Sequence, residues 1–213
     1  MMRPVETDGE LNMTGVYIPE SKEARAVRAE AVRKFVFNSE LIAGRGFEKP
    51  EETWQRPSLV RHLDLAMILT KPGGNFVPIE LVNANLNNRS NDWFRTGIES
   101  LLRGLVPEGK YIPRLIRRLD DDIVRKVTEL TDSSDEEKAR YAWEAHDHLI
   151  CLHGFKEKNG RTARLLLNHV RALLGLPIFV IKNSKAGNYD SHVREYRTSV
   201  FLPQLEQIQF ETA

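Results

Sequence analysis

Regular spacing of apolar positions begins at Ser21. This residue suits a helix cap, and in the KEARAVRAEAVRKFVF segment that follows, Ala24, Val27, Ala31 and Phe35 recur at helical intervals among strong helix formers. A second helix is expected near 38–43, stopping at Gly44. Leu59, Leu63, Ala66, Met67 and Leu69 make another helical stripe, closed by Lys71-Pro72-Gly73-Gly74. Ile112, Leu115, Ile116, Leu119, Ile123, Val127 and Leu130 share one face of a helix with Pro113 near its start. Its Arg and Asp residues fall mostly opposite, as a solvated face. Ser134 and Glu137 form a capping-box signature ahead of a helix to about Leu152, with Ala139, Ala142, Trp143, His146, Leu149 and Ile150 on its buried side. A further helix begins near Arg161, carries Leu165, Leu166, Leu167, Val170, Leu173 and Leu174, and ends where Gly175 and Pro177 follow. A final helix is expected near 188–201, with a shorter tail.

Two stretches lack this period. Residues 1–20 mix Pro, Gly, Asp and Thr and read as a flexible arm. Between Asn75 and Tyr111, FVPIELV reads as a short strand and NLNNRSND as a loop, while IESLL and GKYI flank a Pro107-Glu108-Gly109 turn. A small hairpin is expected around that turn, with 75–82 as the competing place for it. The fold class is therefore all-α, mainly helical, with a short β-hairpin.

Composition narrows the function. The 213 residues, 41% of them hydrophobic, suffice for one globular domain with an appendage. With 31 Lys plus Arg against 30 Asp plus Glu, nothing in the charge calls for a dedicated nucleic-acid binder. The single cysteine, Cys151, cannot form an intrachain disulfide, which suits a reducing compartment. No window is apolar enough for a secretory signal or a membrane span. The expected location is a cytoplasm, that of another cell if the protein is exported by a route that reads other signals.

Chemistry concentrates in one loop, His153-Gly154-Phe155-Lys156-Glu157-Lys158-Asn159-Gly160-Arg161, which feeds the helix carrying Arg164. A helix N-terminus presents N–H groups without partners in the helix and a positive dipole end, so it suits an anion. Gly160 lets the backbone approach closely. Arg161 and Arg164, three residues apart, are placed to fork onto phosphate oxygens, Glu157 offers a hard oxygen for Mg²⁺, and His153 is the proton acceptor. Phe155 reads as a plug into the core.

HGFKEKNGRTAR resembles the Fic family signature, His-x-Phe-x-Asp/Glu-Gly-Asn-Gly-Arg-x-x-Arg, with Lys158 in place of a Gly. AWEAHDHLICLHGF before it and LLLNHVRALLGLP after it are similar to the family's two core helices, so the resemblance spans about 113–202. It implies an all-helical Fic domain with a hairpin flap that holds the target segment. The implied reaction is transfer of AMP from Mg·ATP to a Ser, Thr or Tyr hydroxyl of another protein. The chain itself is a candidate target, and no membrane partner is implied. By the same resemblance His153 is the base, Glu157 the Mg²⁺ ligand, Asn159 and Gly160 the anion hole, Arg161 a phosphate contact and Arg164 the γ-phosphate clamp. The backbone N–H of Lys158 survives at its position, and its ammonium is within the chemistry of a phosphate contact. Asn188 and Tyr189 resemble the part that lines the adenine pocket. Transfer of UMP, phosphocholine or phosphate, or a catalytically silent interaction module, stays open.

Ser39-Glu40-Leu41-Ile42-Ala43-Gly44 is similar to the family's inhibitory motif, Ser/Thr-x-x-x-Glu-Gly/Asn, with Ala43 where the Glu belongs. The resemblance places residue 43 against Arg164, where Ala cannot pair. Ala43 is either natural or an engineered release of activity, and Glu40, one turn earlier, is a substitute. The chain then divides into the arm 1–20, a helical segment 21–56 with the degenerate inhibitory motif, and a Fic core 57–213.

Overall fold

Ser21 accepts a hydrogen bond from the Ala24 amide (3.1 Å) and opens α1, Lys22–Ile42. The structure, a computed structural model, describes residues 10–11, 17–18, 20–44, 56–87, 94, 96 and 105–210. The two helices expected between 21 and 44 are one. Asn38, a residue that often ends helices, turns its side-chain amide to the Lys34 carbonyl (2.8 Å) and lets the helix continue. Ahead of α1, the two-residue strands β1 (Glu10–Leu11) and β2 (Tyr17–Ile18) pair antiparallel.

α2 (Pro57–Leu69) begins with the proline at its first turn. α3 (Ile79–Asn87) corrects the strand expected at FVPIELV. The Pro78 carbonyl accepts from the amides of Leu81 and Val82, and Ile79, Val82, Asn83 and Leu86 form a buried helical face. The apolar run alone is too short to separate the two periods. α4 (Ile112–Glu129) follows a single 3₁₀ turn, Gly109–Tyr111, so GKYI is not a strand. Residues 97–104 of the expected hairpin lie outside the described residues. Phe94, ahead of them, bridges antiparallel to Phe155.

α5 (Asp135–Leu152) has the full capping box on Ser134 and Glu137. α6 (Asn159–Leu173) starts two residues earlier than expected. A 3₁₀ turn (Asn183–Lys185) leads into α7 (Ala186–Tyr196), a π-helical turn (Arg197–Phe201) and α8 (Leu202–Phe210).

Every residue of α6 from Arg161 to Ala172 is buried. A helix enclosed on all sides sits at the centre of its domain. One apolar cluster packs α4, α5 and the C-terminal helices against Leu166, Leu167 and Val170, and a second packs α1, α2 and α3 against Leu165. Each such side chain contributes about 1.5–3 kcal/mol by leaving water. Its placement carries the three arginines of α6, Arg161, Arg164 and Arg171, into the interior. Among the described residues no helix is long and apolar enough to cross a membrane.

Candidate functional site

The loop between α5 and α6 is bounded by two residues in the left-handed region, His153 at φ 45° and Lys158 at φ 62°. That region costs an ordinary residue about 1–2 kcal/mol, so the surroundings must hold the loop in place. Gly154 presses on α4, where an added Cβ would stand 2.9 Å from Ile112 Cγ2. Phe155 is buried and stacks on Phe94 at 5.7 Å. The Asn159 side chain clasps the Phe155 backbone, donating to its carbonyl (2.8 Å) and accepting from its amide (2.9 Å). Asn83 of α3 donates to the Glu157 carbonyl (3.1 Å) and to Thr162 Oγ1 (2.8 Å).

His153, partly buried, caps α5, with Asn159 Nδ2 3.5 Å from its Nε2. Glu157 is exposed at the loop tip, before the first turn of α6. Lys158 turns its ammonium to the Leu86 carbonyl (2.5 Å) in the last turn of α3, a favourable place for a cation. Gly160 faces the Arg164 guanidinium, where a Cβ would lie 3.1 Å from Nη1.

Both arginines are engaged by α1. Arg164 donates from Nε to Ser39 Oγ and from Nη2 to the Ser39 carbonyl, each at 2.9 Å. Arg161 Nη1 donates to both Glu40 oxygens at 3.3 Å. Glu40, 1% exposed, also receives His62 Nδ1 at 2.7 Å. A carboxylate only accepts, so Nδ1 carries the proton. Burial holds the His62 pKa below its ordinary value, against the opposite pull of Glu40. Ser39, rather than residue 43, thus meets Arg164. Ala43 caps α1 through its own amide, and Gly44 follows at φ 75°.

A buried chain of polar groups continues from Arg164. Its Nη1 reaches the Tyr189 hydroxyl (3.4 Å), which is 3.1 Å from His146 Nε2, while His146 Nδ1 meets Asp147 Oδ1 and Asp147 Oδ2 meets His192 Nε2, both at 2.8 Å. The directions follow from Asp147. His146 must donate from Nδ1, so its Nε2 accepts from Tyr189, whose oxygen accepts from Arg164. Burial lowers the His146 pKa and raises that of Tyr189, keeping both neutral. Asn188, beside Tyr189, is exposed.

Ser39, Arg161, Arg164 and Tyr189 therefore meet around α6, with His153 and Asn159 at its N-terminal end. His62, Asp147 and His192 escaped the sequence reading. No local spacing points to His62 or His192, and Asp147 shows itself only as a charge one residue off an apolar stripe.

Residues 79–170 match the Fic/DOC family model. The match runs from α3 to α6 and contains the whole loop. A crystal structure of a Fic-domain-containing signaling protein from Bacteroides thetaiotaomicron VPI-5482 superimposes with a TM-score of 0.63 at 18% identity, covering 84% of this chain and 78% of that one. The chain has the mainly helical Fic fold. No curated protein matches it.

Proposed function

We propose that the chain is a Fic-type transferase that moves AMP from Mg·ATP to the hydroxyl of a Ser, Thr or Tyr on a target protein in a cytoplasm, with the chain itself a candidate target. The observation that carries this reading is the placement of His153 beside the N-terminus of a buried helix bearing Arg161 and Arg164. His153 Nε2 takes the hydroxyl proton, the hydroxyl oxygen attacks the α-phosphorus, and the bond to the leaving pyrophosphate breaks. Asn159 and Gly160 offer the first-turn amides to the phosphate charge, and Arg161 and Arg164 hold the outer phosphates.

Glu157 suits Mg²⁺. It is a single exposed carboxylate beside the anion site, and Mg²⁺ binds through one or two carboxylates together with phosphates and water. The bound ion would offset the phosphate charge. Among the described residues no cluster of three His, Cys, Asp or Glu forms a metal cage. The ammonium of Lys158 donates to the Leu86 carbonyl and its side chain does not cap the first turn of α6, which supports an active protein over a silent one. Tyr189 acts here as a positioning residue for Arg164. Asn188, the other residue expected at the base, has its side chain at the surface.

The test is His153→Ala with Mg·ATP, scored by intact mass of the chain and of co-incubated lysate proteins. Transfer of AMP by the native chain should fall on the order of 10²–10⁴-fold in the variant while ATP affinity holds. Equal transfer by both, or a native product that is not AMP, would overturn the reading.

A further inference from the structure

We infer that the cavity between α5 and α7 is a second ligand site, built for a planar aromatic anion and separate from the phosphate-binding loop. Its volume is about 790 Å³, within the range of small-molecule sites. Its walls are aromatic. Trp143 stands edge-on to Phe179 at 5.5 Å and to His192 at 5.2 Å, and Phe179 remains 40% exposed. Rings so arranged leave faces on which a planar group stacks.

The sign of the ligand charge follows from the lining. Arg140, Lys182 and Lys185 are cationic. Of the two acids, Asp147 already has one oxygen on His146 and the other on His192, which leaves Glu144 against Lys182, Lys185 and an Arg140 whose guanidinium also lies 4.0 Å from Glu137. Asn188 adds an amide at the same wall.

The cavity is distinct from the loop. None of its lining residues comes from 153–164. Trp143 precedes His153 by ten residues, about 15 Å along α5. Tyr189 separates the two spaces, since its ring lines the cavity while its hydroxyl meets Arg164.

The test titrates 1-naphthalenesulfonate into the full chain and follows the tryptophan indole resonances, with Trp143 identified by Trp143→Phe. Saturable one-site binding that moves the Trp143 signal, persists under saturating Mg·ATP and weakens at least tenfold in the Lys182→Glu/Lys185→Glu variant is the expected result. Both lysines are exposed, so that variant keeps its core. Absence of saturable binding, displacement by Mg·ATP, equal binding by the double variant, or tighter binding of trimethylphenylammonium would each overturn the proposal. No transfer reaction enters these measurements, so the outcome is independent of the His153 test.

Discussion

Glu40 and Arg161, 121 residues apart in the chain, face each other in the protein interior at 3.3 Å. Removing one partner of such a pair strands a charge away from water, at a cost of up to about 3–5 kcal/mol. Glu40→Gln keeps an oxygen for His62 and drops the charge, so the melting temperature should fall. Arg161 is released at the same time, and pyrophosphate affinity, read by calorimetry, should rise. A variant that loses both stability and pyrophosphate affinity would show that Glu40 merely supports the fold.

Restoring a carboxylate one turn further on is the complementary change. Ser39 and Ala43 lie on the same face of α1, and Ser39 already touches Arg164. Ala43→Glu should lower affinity for ATP more than for ADP, because a carboxylate competes with the γ-phosphate for the same donors. The quantity to measure is the ratio of the two dissociation constants. An unchanged ratio would remove residues 39–44 from any inhibitory role.

Lys158 offers a backbone test. At φ 62° glycine sits without penalty, whereas a β-branched residue suffers most. Lys158→Gly should leave stability within about 1 kcal/mol, the relief of strain offsetting the lost Leu86 contact and the freer unfolded chain. Lys158→Val should cost about 1–2 kcal/mol more. Equal melting temperatures for the two variants would mean that the loop relaxes around the residue.

Asp120 should make stability pH-dependent. Its carboxyl accepts from the Ile79 amide (3.1 Å), and burial lifts its pKa from an ordinary 3.8 to about 6. The folded state then binds a proton that the unfolded state has lost, so stability held below pH 4 is lost as the pH rises through 6. Asp120→Asn keeps the acceptor oxygen and stays neutral. It should melt higher than the native chain at pH 8, by roughly 1 kcal/mol once the partial exposure of the group is allowed for, with the gap closing toward pH 4.

The long helices were legible because α4 and α5 each repeat the apolar interval over several turns and carry a proline or a capping box at the start. The FVPIELV segment was not, because its seven residues fit either period and Pro78 decides only in three dimensions. The loop chemistry could be read from residue types, but its restraint could not. Asn159 clasping Phe155 follows from the path of the loop backbone, and Asn83 reaching Glu157 and Thr162 from the packing of α3 against α6. Glu40 was visible as a neighbour of the Ser39 motif, yet its pairing with Arg161 and His62 spans elements with no shared local pattern. Lys158 had a clue in the resemblance itself, whose glycine at that position marks a left-handed backbone.

The docking of α1 on Arg161 and Arg164 makes folding and ligand capture rivals for the same donors. An anion that claims the guanidiniums must first displace Ser39 and Glu40, so its apparent affinity is scaled by the fraction of molecules in which α1 has let go. The mass-action gain in stability then follows this apparent constant and not the intrinsic one, because part of the intrinsic binding energy replaces contacts the empty protein already had. A tight nucleotide would register as only a small thermal shift, and a helix that let go more readily would make the same nucleotide look both tighter and more stabilising.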